Sequence, residues 1–230
     1  MRLAVVVPSK TPGNVRAAVQ SVRDHEQYIA IAVIDDGLSC DTAALPAAVL
    51  KGVKPFVFAR NCNQGAKAAF EADADGVFLM NDDATLETPC GFTALAAVAA
   101  EHPEYGVISA AITDHVGNLN QKPKGNGLRE EPRVLAYICV YIPRRTWEAV
   151  GPLDEGFCDD YGWEDTAYCR EVQRAGLKLG IFDGCHVAHG VLPSTFRDGN
   201  RSVSVYNRNA QRYYAKYGDL CGLPIPKGWR

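Results

Sequence analysis

Short β-rich runs alternate with helical stretches of about ten residues through the first half of this chain, and several of the strands end in polar clusters. No other feature constrains the fold as tightly. Strands are predicted over 3–8, 29–34, 53–58, 76–80 and 107–112. Between them lie helices over 14–23, 43–50, 65–74 and 91–101, the second capped by Asp41-Thr42. In the first helix Val15, Ala18, Val19 and Val22 fall on one face. Such alternation implies right-handed crossovers, and so a single-domain α/β fold with a Rossmann-like, mostly parallel sheet flanked by helices. Ligands of such sheets bind beyond the carboxyl ends of the strands. Here those ends carry Asp35-Asp36, Asn61 and Asn81-Asp82-Asp83.

The second half is less regular. Glycines and prolines are frequent over 113–133, which reads as one long loop. Loops of that length in compact domains are usually functional, and a lid ordering over bound ligand is expected. A strand follows over 134–142, then helices over 165–175 and 203–217. At 230 residues the chain suits one full-sized core.

Positive and negative side chains nearly balance, 24 against 27, which leaves no basic footprint for nucleic acid or an anionic membrane. No apolar run reaches the roughly 18 residues of a membrane span, and the N-terminal run is too short for a signal-peptide core. A cytoplasmic protein is expected, with peripheral membrane contact left open. The eight cysteines are scattered without a C-x-x-C pair and are expected to be reduced.

Each polar cluster admits a bland reading and a chemical one. Asn81-Asp82-Asp83 suits a hard cation with open positions for phosphate oxygens, or a plain turn. Asp35-Asp36-Gly37 could bind ligand or make a turn. Glu164-Asp165 opens a helix whose dipole would favour the ionised carboxylates, with Tyr161 and Trp163 nearby as stacking surfaces for a sugar ring. Cys185, His186 and His189 lack the second cysteine pair of a zinc site.

Read in order, the pieces resemble glycosyltransferase family 2, the inverting GT-A group. The similar motifs are Val5-Val6-Val7-Pro8-Ser9, Val33-Ile34-Asp35-Asp36-Gly37, Asn61-Cys62-Asn63-Gln64-Gly65 and Asn81-Asp82-Asp83. In the second half they are Gly151 to Phe157, Glu164-Asp165, Arg174-Ala175-Gly176, Val187-Ala188-His189-Gly190 and the tail around Asn207-Arg208-Asn209. The match runs from about residue 3 to 218, and an ordered set is more specific than any one motif.

The resemblance implies a GT-A fold, with 1–112 as the donor-binding half and 113–230 as the acceptor-binding and catalytic half. It implies transfer from a nucleoside-diphosphate sugar, UDP- or dTDP-linked, to a hydroxyl on a glycan, lipid-linked or other acceptor, with Mn²⁺ or Mg²⁺. Asp36 takes the base-contacting position, walled by Pro8 and Ser9, with Asn61 beside the nucleotide. Asp82 takes the ribose position, Asp83 that of the metal ligand, and His189 lies near metal and diphosphate. Lys67 is a looser phosphate candidate. Asp165 matches the catalytic base and Glu164 an acceptor-binding carboxylate.

Three positions depart from the pattern. Asn81 leaves one carboxylate fewer for the metal, Ala167 replaces a frequent second Asp, and the lengthened approach to the base offers Asp159 or Asp160 as substitutes. Sugar nucleotidyl transfer and a non-catalytic sugar-nucleotide or glycan-binding module are the competing readings. A dinucleotide oxidoreductase is not, because G-x-G-x-x-G is absent.

Overall fold

The computed structural model describes residues 1–38, 42–114, 119–157, 162–190, 203–226 and 229. In chain order the strands and helices are β1 (Leu3–Ser9), α1 (Pro12–His25), β2 (Ala30–Asp35), β3 (Ala48–Lys51), α2 (Phe58–Glu71) and β4 (Gly76–Met80). Then come β5 (Ala84–Leu86), α3 (Gly91–Glu101), β6 (Tyr105–Ile112), β7 (Leu128–Glu130), β8 (Cys139–Pro143), α4 (Arg144–Val150), α5 (Glu164–Arg174), β9 (Lys178–His189) and α6 (Val203–Tyr217). They form one sheet in the order β3-β2-β1-β4-β8-β6-β9-β5, with β7 also on β9.

Parallel pairing runs through β3, β2, β1 and β4, as the strand–helix alternation requires, and recurs between β6 and β9. The antiparallel pairings come with the short β5 and with β7 and β8 from the irregular second half. Period-2 alternation divides the core between the two faces. Val5, Val7, Phe78 and Met80 pack beneath α1 and α3. Ala4, Val6, Val77 and Leu79 pack beneath α2 and α5. Gly65 lets α2 approach closely, because a Cβ there would lie 2.3 Å from Val6 Cγ1.

The structure corrects two expectations over 43–58. The helix predicted over 43–50 is a 3-10 turn, Thr42–Ala44, followed by β3, and the strand predicted over 53–58 gives way to the start of α2. Prolines decide this. Pro46 disfavours a helix through Leu45, and Pro55 cannot donate to a ladder, so the third strand lies between them.

The 113–133 segment is not a free lid over its described part. Buried Gln121 donates to Ser109 Oγ at 2.7 Å and to the Ala136 carbonyl at 3.0 Å, and its own Oε1 accepts from Ala136 N at 2.8 Å. Arg129 pairs with buried Asp183 at 2.9 Å, and β7 joins the sheet. The strand predicted over 134–142 contracts to β8, and no sequence signal had suggested α4 or β9. The six described cysteines are free thiols, and none of the described helices is long and apolar enough to cross a membrane.

Candidate active site

Strand ends build one part of the site. At the end of β1 the Ser9 hydroxyl donates to Asp82 Oδ2 at 2.6 Å, joining the carboxyl ends of β1 and β4. The Ser9 carbonyl accepts from Asp36 N at 2.8 Å, which adds the end of β2. Pro8 is buried beside Ile34 in the same ladder. Asp35 takes the turn role, its Oδ1 accepting from Gly37 N and Leu38 N at 2.8 and 2.6 Å. Gly37 has φ 109°, so glycine suits that turn.

Asp36, freed from the turn, is buried and pairs with Lys54 at 2.7 Å. Burial raises the Asp82 carboxyl to about 6. Hydrogen bonds from Ser9 and Asn14 and the charge of Lys10 oppose the rise, while the charge of Asp83 adds to it.

His189 arrives from the far end of the sequence through sheet register. Ala84 of β5 pairs with His189 of β9, and the imidazole Nε2 lies 3.2 Å from Asp83 Oδ1. Both side chains are nearly buried. One carboxylate and one imidazole fit a divalent cation whose remaining positions go to phosphate oxygens and water. Among the described residues no three His, Cys, Asp or Glu side chains gather as a larger ligand set. The zinc alternative fails on the same ground, and burial pushes the Cys185 thiol well up.

Asn61 is wholly buried, and neither its Oδ1 nor its Nδ2 hydrogen-bonds within the described protein. A Cβ on Gly52 would sit 3.5 Å from that amide and 2.9 Å from the Asp35 carbonyl, so Asn61 lies under the end of β2. A buried amide needs hydrogen-bond partners, at a cost of about 1–3 kcal/mol when it lacks them, so a polar ligand group or water would fit beside it. Lys67 stays apart from this group: it is exposed on α2, 3.8 Å from Glu71.

The other part of the site is a helix end. Glu164 and Asp165 are the first residues of α5 and line a cavity of about 380 Å³ with Arg133, Leu135, Trp163 and Leu220. Asp165 Oδ1 accepts from Thr166 N at 2.6 Å and from Thr166 Oγ1 at 3.2 Å. Burial nevertheless outweighs these bonds, holding the carboxyl above its ordinary 3.8. Trp163 is a packing residue more than a stacking surface, nearly buried with its ring 5.0 Å from Tyr213. Tyr161, Asp159 and Asp160 lie outside the described residues.

One stretch of backbone ties the two parts together. The Tyr137 backbone lies close to the Asp165 carboxylate, and the carbonyl of the next residue, Ile138, accepts from Asn81 N at 2.8 Å. Sequence reading missed Asn14, Lys54 and Tyr137. None stands in a recognisable motif, so only the packing of α1, the 52–57 loop and the approach to β8 reveals them.

The fold is of the GT-A type. No family model matches the sequence, and no curated protein matches it significantly. Among solved structures, GalNAc-T7 with UDP, GalNAc and Mn²⁺ superposes with a TM-score of 0.72 at 13% identity, over 97% of this chain and 52% of that one. TarS 1–349 from S. aureus in complex with UDP-GlcNAc gives 0.67 at 13% identity, over 97% of this chain and 68% of that one. A second S. aureus TarS structure gives 0.62 at the same identity, over 94% and 42%. The chain thus spans about half the length of the GalNAc-T7 chain.

Proposed function

We propose that this chain is a family 2 glycosyltransferase. It moves a sugar from a nucleoside-diphosphate sugar, UDP- or dTDP-linked, to an acceptor hydroxyl with inversion at the anomeric carbon. The observation that carries the reading is the strand-end cluster, where His189 Nε2 lies 3.2 Å from Asp83 Oδ1 and Ser9 bonds Asp82 at 2.6 Å. The fold's likeness to structures holding UDP, GalNAc and Mn²⁺, or UDP-GlcNAc, supports a nucleotide-sugar donor.

Residues 1–112 supply the donor half in this reading. Asp36 accepts from the nucleobase beside Pro8, Asn61 closes the pocket beneath it, and Asp82 takes the ribose hydroxyls. Asp83 and His189 would hold Mn²⁺ or Mg²⁺. Bound there, the cation would neutralise charge on the departing diphosphate. Residues 113–230 supply the acceptor half. Glu164 orients the acceptor, and Asp165 takes its hydroxyl proton as the oxygen bonds the anomeric carbon. The bond from that carbon to the diphosphate breaks in the same step, and its electron pair leaves with the nucleoside diphosphate. One displacement inverts the configuration.

The test is turnover of UDP- and dTDP-sugars with Mn²⁺ against glycan, lipid-linked and other hydroxyl acceptors, reading the released product and the new anomeric configuration. Nucleoside diphosphate and an inverted product are expected. Pyrophosphate release from a nucleoside triphosphate and a sugar phosphate would instead identify a nucleotidyltransferase. Tight donor binding with no turnover would identify a binding module, and a retained configuration would overturn the single displacement.

A further inference from the structure

The residues just ahead of the catalytic carboxylates have an unusual backbone. Gly162 has φ 92° and Trp163 φ 78°, two consecutive left-handed residues. Glycine adopts that conformation freely, but a bulky tryptophan does not, and such a residue persists only where its surroundings hold it. Here the holding comes from α6.

Asn209 of α6 is wholly buried, and its Nδ2 donates to the Gly162 carbonyl at 3.0 Å. Its Oδ1 accepts from Arg212 Nη1 at 2.7 Å, which fixes the direction of the amide. The Trp163 ring packs on Tyr213, also wholly buried. The Trp163 carbonyl then accepts from Ala167 N at 2.8 Å and opens α5. The two peptide carbonyls preceding Glu164-Asp165 are therefore each held, one by Asn209 and one by the helix itself.

Bonds farther along keep α6 seated independently of Asn209. Tyr217 donates to Glu171 at 2.7 Å, Lys216 to Asp154 at 2.8 Å, and Arg170 to Asp219 at 2.7 Å.

The geometry points to Asn209 as a positioning residue that locks the left-handed Gly162–Trp163 entry and thereby sets the place of Asp165. The inference rests on the reading of Asp165 as the base. Without the Asn209 donor the Gly162 peptide can rotate, and the first turn of α5, opened by the Ala167 N to Trp163 carbonyl bond, loses its fixed place. A misplacement of about 1 Å at a reacting group costs roughly 100-fold in rate. The donor end is held by β1, α1, β4 and β9, so nucleotide affinity does not depend on this lock.

Asn209→Asp tests it. The substitution keeps the size of the side chain and its contact with Arg212 and removes the donor to Gly162. The expected result is a kcat lower by roughly 10- to 100-fold, with the KM for donor sugar and the affinity for UDP plus Mn²⁺ within about twofold of wild type. Amide exchange should rise in the first turn of α5, at Ala167 above all. Arg212→Gln, which frees the amide to turn, should give a smaller fall of the same pattern, and it carries the test if the aspartate variant does not fold. Unchanged kcat in both variants would overturn the proposal, as would a fall in kcat matched by an equal loss of UDP affinity, the mark of general loosening. If the wild type transfers no sugar, the transferase reading fails by itself. The exchange measurement then decides the lock alone, faster exchange confined to α5 supporting it and unchanged exchange refuting it.

Discussion

The strand-end cluster and the helix-end carboxylates hold buried charge by different means. Asp82 is bound by Ser9 from β1 and Asn14 from α1, and Asp83 by His189 from β9, so each partner comes from a different element. Asp165 is held largely by its neighbour Thr166. Burial raises both Asp82 and Asp165, yet only the first sits in a frame fixed by sheet register. The lesson is that the strand-end cluster follows from where strands stop, whereas the place of Asp165 depends on how a helix is seated. The two ends should therefore fail differently.

The largest effect is expected at the donor end. Asp83→Ala should abolish both diphosphate binding, read by calorimetry with UDP and Mn²⁺, and turnover. EDTA should do the same to wild type, with recovery on adding Mn²⁺ or Mg²⁺. Full activity in EDTA would remove the metal from the reading.

At the other end binding and turnover should separate. Asp165→Asn keeps the shape and removes the basicity, so turnover should fall by roughly 100-fold or more while UDP affinity stays. Glu164→Gln should raise the acceptor KM more than the donor KM. Near-normal turnover in Asp165→Asn, with loss in Asp160→Asn, would move the base to Asp160.

A pH profile sharpens the same contrast. A base must be ionised to accept a proton, and burial holds Asp165 above the ordinary 3.8. As pH falls, kcat should therefore decline sooner than an ordinary carboxylate would give. Glu164, Cys169, Tyr137 and Cys221 also face Asp165. The limb should persist in Glu164→Gln and vanish from the residual activity of Asp165→Asn.

The smallest effect is expected at Lys67. Because its side chain is exposed and paired with Glu71, Lys67→Ala should change donor affinity less than about twofold. A tenfold loss would bring α2's outer face into the donor site.

Much of the donor half was legible in sequence. Alternating strands and helices dictated the parallel ladders of β1, β2 and β4, and turn chemistry at their ends marked Asp36, Asp82 and Asp83. The same reasoning slipped at 43–58, where Pro46 and Pro55 override the local apolar pattern. It missed β9 altogether. That strand carries Gly180 and Gly184, and its register with β6 jumps from Phe182 to His186, so no alternation survives for a sequence pattern to show. The 113–133 segment looked like a lid because the bonds that pin it, from Gln121 and Arg129, reach partners far along the chain.

By itself, then, the sequence determined the α/β class, the order of the motifs and the chemical type of each site residue, because those depend on local periodicity and turn preference. Only the tertiary structure decided that His189 meets Asp83, that Lys54 holds Asp36, and that Ile138 bonds Asn81. These are relations between residues up to about a hundred positions apart, set by strand register and packing density, and no local pattern encodes them.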